Sequence, residues 1–64
     1  MKETEFWSRL DEHLGPSYAR VWAAEQTLPD LASRTVTQAL AEGEPTKVVW
    51  RAVWSALELP DRER

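Results

Sequence analysis

Cysteine is absent from this chain, and glycine occurs only twice. Without cysteine there are neither disulfides nor thiolate metal ligands, so helix packing has to stabilise the domain unaided. The two glycines, Gly15 and Gly43, form no loop that could wrap around a phosphate group, and both are typical of helix ends. The 64 residues suffice for one small domain, which must bury most of its large apolar side chains.

Long apolar runs and a surplus of positive charge are missing as well. No stretch approaches the ~18 uninterrupted apolar residues of a membrane span, and the opening sequence MKETEFW has no apolar signal region. We therefore expect a soluble cytoplasmic protein. Eight Lys and Arg stand against eleven Asp and Glu, a net charge of -3, which argues against a surface designed as a whole for nucleic acid.

Apolar residues recur with helical spacing along the chain, and no segment alternates with a period of two. The fold class is therefore predicted as all-α, a small bundle of three main helices plus one short helix. A single domain is expected over residues 1–60, followed by a charged, mobile tail at 61–64. The predicted helices cover residues 5–14 after an N-cap at Thr4, a stretch from Pro16 to before Pro29, residues 35–42 and residues 45–59.

The ends of these helices follow from local residue chemistry. Thr35 and Gln38 have the spacing of a capping box at the start of the short third helix. The second helix has an apolar face with one exception, because Glu25 falls between Val21 and Tyr18 on that face. Glu25 either lies at the rim of a frayed helix end or turns inward to a cation such as Arg34 or Arg51. The residues predicted to form this face are Tyr18, Ala19, Val21, Trp22 and Ala23.

The fourth helix is unusually apolar, since its apolar side chains cover an arc of roughly 240° and leave only a narrow polar strip. An arc this wide must be covered on several sides or must offer a face to a partner. We expect five small apolar residues to pack in the core against Phe6, Leu10, Trp22 and Leu40. They are Val48, Val49, Ala52, Val53 and Ala56.

The edge of this helix that carries Trp50 and Trp54 has no obvious cover in the rest of the sequence. Tryptophan and arginine are enriched among the residues that dominate binding energy at interfaces. The predicted partner-binding residues are therefore Trp50, Arg51, Trp54 and Lys47, and the predicted partner is another protein or a second copy of the chain. Alternatively, the first and third helices cover both rings and no docking patch exists.

Little in the sequence points to catalysis. The single histidine, His13, lies near the end of the first helix, where the helix dipole stabilises an imidazolium. Asp11, Glu12 and His13 are consecutive on a helix, so their side chains diverge by ~100° and do not converge on a metal. We predict a non-enzymatic protein with no catalytic residue, cofactor, metal site or small-molecule substrate.

A helix-turn-helix is the alternative interpretation of the third and fourth helices. With Thr35 as its first position, Ala39 falls at the small residue, Gly43 at the turn and Val49 at an apolar position of the second helix. Glu44 departs from the pattern, because an apolar residue usually follows the turn glycine. A DNA-reading helix would also offer only Thr46, Lys47, Trp50 and Arg51, with tryptophans in place of polar reading side chains. Nucleic-acid binding is thus the weaker prediction beside a plain helical corner.

Four segments together resemble a known family, and the similarity covers nearly the whole chain. They are Thr4–Trp7 (TEFW), the pairs Tyr18-Ala19 and Trp22-Ala23, the stretch from Arg34 to Glu44, and Val49–Val53 (VWRAV). They are similar to the actinobacterial domain of unknown function 3046. The resemblance implies a small helical protein of uncharacterised activity and carries over no functional residue. Its members are often encoded near recombinase genes, which implies DNA maintenance only by association.

Overall fold

The first two helices are separated by a single residue. In the computed structural model, which describes all 64 residues, α1 spans Glu3–Leu14 and α2 spans Pro16–Glu25. Gly15 between them has φ +87°, a left-handed value that glycine adopts without strain, and Pro16 occupies the first position of α2. The predicted sharp boundary is confirmed. The N-cap of α1 is Lys2 and not Thr4, so this helix begins slightly earlier than predicted.

A short hairpin follows α2, and the expectation of no strands is wrong at this point. Strand β1 (Thr27–Leu28) pairs antiparallel with β2 (Arg34–Thr35), and a 3₁₀ turn at Pro29–Leu31 lies between them. Ala32 and Ser33 both have left-handed φ values, 57° and 62°, which reverse the chain. Two-residue strands leave no alternation that a sequence pattern could reveal. The fold is therefore mostly helical with one small two-stranded sheet.

The short helix α3, Val36–Ala41, begins with the predicted capping box. The backbone N–H of Gln38 donates to Thr35 Oγ1 at 3.1 Å, and the backbone N–H of Thr35 donates to Gln38 Oε1 at 3.0 Å. These reciprocal bonds satisfy two donors that the first turn of a helix leaves without partners. The box fixes where the hairpin ends and α3 starts.

Gly43 ends the α3 segment in a Schellman motif. With φ +91° at Gly43, its N–H donates to the Leu40 carbonyl at 3.1 Å, and the next N–H, from Glu44, donates to the Ala39 carbonyl at 3.0 Å. Helix α4, Thr46–Ala56, begins directly after Pro45. The fourth helix is therefore shorter than the predicted 45–59. It has eleven residues, because it ends at Ala56.

Helix α4 ends in the same kind of motif, but without a glycine. Glu58 has a left-handed φ of 54°, its N–H donates to the Ser55 carbonyl, and the N–H of Leu59 donates to the Trp54 carbonyl at 3.1 Å. The motif turns the chain back toward α4, and a 3₁₀ turn at Asp61–Glu63 follows. The backbone of any residue other than glycine is strained in this conformation, because Cβ comes too close to the following carbonyl oxygen.

We predict that Glu58→Gly stabilises the protein by ~0.5–1 kcal/mol, because glycine removes the left-handed strain at a modest cost in chain entropy. The control is Glu58→Ala, which removes the same carboxylate but keeps the strain. Chemical denaturation of both variants measures the free energy of unfolding. An alanine variant as stable as the glycine variant would show that the strain is not what limits this turn.

One apolar core joins all four helices and the hairpin. Ala19, Trp22 and Ala23 of α2 are buried as predicted, whereas Tyr18 and Val21 are 55% and 48% exposed. The buried apolar residues are Phe6, Leu10, Ala19, Trp22, Ala23, Leu28, Leu31, Val36, Ala39, Val49, Trp50, Ala52 and Val53.

Helix α4 likewise buries only part of its apolar arc. Val48 is 45% exposed and Ala56 is exposed, so the prediction that both pack in the core is wrong. In both α2 and α4, only the apolar side chains that face the bundle are buried, and those on the far side of the apolar arc are exposed to water. Glu25 at the end of α2 is exposed and makes no ion pair, so of the two alternatives it lies at the rim. No helix here combines the length and the apolar character needed to cross a bilayer.

Candidate docking site on the fourth helix

The side chain of Trp50 projects from α4 against α1, and only 1% of its surface is exposed. Its ring meets the ring of Phe6 edge to face, with centroids 5.8 Å apart, and the His13 ring lies 6.2 Å away. The guanidinium carbon of Arg9 is 5.7 Å from the Trp50 ring centroid. The expected exposure of this tryptophan is therefore wrong. Trp50 belongs to the core, and α1 supplies much of its cover.

The rest of the cover comes from the segment Leu59–Arg64, here called the strap. Trp50 Nε1 donates to the Glu63 carbonyl at 2.6 Å, and Trp54 Nε1 donates to the Pro60 carbonyl at 2.9 Å. Two indoles one helical turn apart thus bond two carbonyls three residues apart. An indole N–H that packing shields from water needs an acceptor. The strap backbone supplies one carbonyl to each of the two indoles.

Glu63 connects the strap to α1 as well as to α4. Its Oε1 atom lies 3.2 Å from His13 Nε2, and its carbonyl lies 3.5 Å from the Arg9 Nη1 donor. At the far end of the strap, the Arg64 guanidinium carbon is 5.0 Å from the Trp54 ring centroid. The strap therefore closes the edge between α1 and α4 with polar and cation–π contacts.

Residues 61–64, predicted as a charged, mobile tail, include two residues that make these contacts, Glu63 and Arg64. Composition alone predicts a solvated run, because all four residues are charged. In the structure Asp61, Arg62 and Arg64 are exposed and Glu63 is partly covered. The missed sequence signal is the spacing of the two indoles on α4. The two N–H donors lie on one edge of α4, and the residues directly after this helix are near enough in sequence to accept from both.

Three of the four predicted partner-binding residues do form one surface. Lys47 and Arg51 are exposed and Trp54 is half-buried, and their spacing of four and three residues places them on one side of α4. No carboxylate lies within 4.0 Å of either cation. We call Lys47, Arg51 and Trp54 the α4 strip. The structure separates the fourth residue, Trp50, from this strip and places it beneath the strap.

An ion-pair network that sequence analysis missed holds the corner between α3 and α4. Arg34 donates through Nη1 to Glu42 at 2.7 Å and through Nη2 to Glu44 at 2.5 Å, while its Nε donates to the Leu31 carbonyl at 2.8 Å. The hydrogen bonds that Arg34 donates to the carboxylates of Glu44 and Glu42 raise the pKa of Arg34 above its usual value. Arg34 thus ties the hairpin to the turn and does not pair with Glu25.

The helix-turn-helix positions have the expected environments. Ala39 and Val49 are fully buried, and Gly43 provides the left-handed turn. Glu44, the departure from the pattern, is engaged by Arg34. Three positions of the corner therefore match the pattern, whereas its turn carries carboxylates paired with Arg34.

No group of three or more His, Cys, Asp or Glu side chains is arranged to hold a metal ion.

A family model described as "Protein of unknown function (DUF3046)" matches residues 1–62 of the chain. Comparisons with curated proteins and with solved structures give no match.

Proposed function

We propose that this chain, which belongs to the DUF3046 family of proteins of unknown function, is a non-enzymatic interaction module that binds an acidic protein surface through the α4 strip. The supporting observation is the state of Lys47 and Arg51. Both are exposed and lack carboxylate partners in a chain of net charge -3. Opposite charge at an interface steers association and fixes orientation. A cytoplasmic location and the lack of catalytic activity remain predictions.

Trp54 gives this strip the chemistry of an interface and not of an ordinary solvated helix face. Its ring is half-buried, with Arg64 stacked near it, and its N–H is already bonded. The ring can therefore contribute apolar area to an interface without leaving a donor unsatisfied. Aromatic and arginine side chains are the usual anchors of such interfaces.

Charge reversal at Arg51 tests the proposal. We expect Arg51→Glu to weaken capture of the partner from an extract of cells expressing the chain about tenfold, because ~1.4 kcal/mol of complementary charge interaction is lost. Capture is quantified at two salt concentrations, since screening weakens an exposed charge contact. The matched control is Lys2→Glu, an equal charge reversal at an exposed residue before α1. Equal losses in both variants would contradict a specific role for the strip.

DNA binding is a second candidate, favoured by the buried Ala39 and Val49 and by the left-handed Gly43 at helix-turn-helix positions. Two observations oppose it. Trp50 occupies a position of the reading face but lies beneath the strap, and Arg34 is bonded to two carboxylates. A titration with duplex DNA at ~50 mM salt separates the candidates, because phosphate contacts must weaken as salt rises. Absence of binding at that salt removes this candidate.

A further inference from the structure

The surface beneath the strap has a defined recognition chemistry. It presents two indole N–H donors on α4, from Trp50 and Trp54, and two cationic or protonatable side chains on α1, Arg9 and His13. An occupant therefore needs two backbone carbonyls three residues apart and a carboxylate beside the second one. The strap meets these needs with Pro60 and Glu63.

The strap is held mainly by polar contacts at its edges. None of its residues is buried, and only Leu59 and Glu63 are partly covered. The His13–Glu63 contact is partly exposed, with 24% and 29% of the two side chains accessible, so solvent weakens it. The strained Glu58 precedes the strap and favours its release. Segments with little buried apolar surface and exposed hydrogen bonds open at low cost.

We propose that the strap is an intramolecular occupant of a peptide-binding site between α1 and α4. The ligand of that site is an acidic segment of the protein partner, which replaces the strap and carries a carboxylate three residues after a carbonyl acceptor. This inference rests on the proposed function, because the segment belongs to the same acidic partner that approaches α4. The strap competes as a tethered ligand, so its release raises the affinity for a segment in trans.

The probe is a fluorescently labelled peptide with the strap sequence and the preceding glutamate, ELPDRER, titrated into the full chain and followed by anisotropy. Glu63→Lys in the chain breaks the contact with His13 and repels Arg9, so we expect it to bind the peptide at least about fivefold more tightly than the unchanged chain. Glu58→Gly stabilises the turn before the strap, and we expect it to bind about fivefold more weakly.

The matched control is Asp61→Lys, which makes the same charge change in the same 3₁₀ turn at an exposed side chain without a hydrogen bond or ion pair. We expect its affinity to equal that of the unchanged chain. The peptide carrying Glu63→Lys should not bind any variant. Circular dichroism establishes that each variant is folded, and if Glu63→Lys is not, the Glu58→Gly affinity decides.

Equal affinity of all chain variants, or no binding by any of them, would overturn the inference. That result leaves the α4 strip untouched, because Arg51→Glu is measured with the partner and not with the peptide. Conversely, a peptide affinity that follows the strap variants, combined with unimpaired partner capture by Arg51→Glu, keeps the peptide site and removes the strip. The two failures are therefore distinguishable.

Discussion

Trp50→Ala is expected to destabilise the protein by ~3–5 kcal/mol, the range for truncating a large buried aromatic side chain. Trp50 is the largest fully buried side chain and contacts Phe6, while its N–H is bonded to the strap. A 64-residue domain has a total stability of only about 3–10 kcal/mol. The variant is therefore expected to be largely unfolded at room temperature or to melt far below the unchanged chain.

Trp54→Ala is the control for this prediction. It lies one turn along the same helix and makes the same kind of bond to the strap, but its ring is only half-buried. We expect it to cost about 1 kcal/mol, close to the value of one net hydrogen bond. Thermal melting followed by circular dichroism measures both. Similar losses at the two positions would contradict the assignment of Trp50 to the core.

Leu31→Ala is expected to destabilise the protein by ~2–5 kcal/mol, although Leu31 lies in the irregular hairpin loop. Its side chain is 1% exposed, and the loop packs against α4. Removal of the side chain leaves a cavity where the hairpin meets the helix. Urea denaturation measures the free energy of unfolding.

Val48→Ala provides the matched apolar truncation on α4. Val48 is 45% exposed, so its change should stay within about 0.5 kcal/mol of the unchanged chain. A mild effect at Leu31 or a large one at Val48 would show that the core is placed wrongly. The comparison is informative because helical periodicity alone predicted Val48, and not the loop, to contribute to the core.

Helix ends were predictable because their causes are local. Thr35 with Gln38, Gly15 with Pro16, and Gly43 each fix a backbone conformation through residues that are adjacent or three apart. These backbone conformations do not depend on contacts with the remainder of the chain. The family resemblance was also confirmed over residues 1–62.

Features that depend on contacts between distant residues could not be predicted in this way. The hairpin needs Ala32 and Ser33 in left-handed conformations that neither residue favours, between the buried side chains of Leu28 and Leu31 and the second strand. The strap requires a left-handed Glu58, which the sequence gives no reason to expect. Periodicity also overstates burial, since a bundle this small covers only one side of the apolar arc of α4.

The candidate site was predictable in position but not in composition. Lys47, Arg51 and Trp54 lie together on the exposed side of α4, as their spacing requires. The helical wheel predicts Trp50 in the same patch, because this residue flanks the polar strip. A wheel shows direction around one helix only, and it therefore could not show that α1 and the strap meet over this ring.

The strap covers the Trp50 ring and separates it from the α4 strip of Lys47, Arg51 and Trp54. Hydrogen exchange of the Trp50 indole N–H, resolved by nuclear magnetic resonance, tests this arrangement most directly. Exchange in the unchanged chain is expected to be slower than that of a free indole, because this donor is bonded to the Glu63 carbonyl and its ring is buried. Exchange as fast as that of a free indole in the folded protein would contradict it.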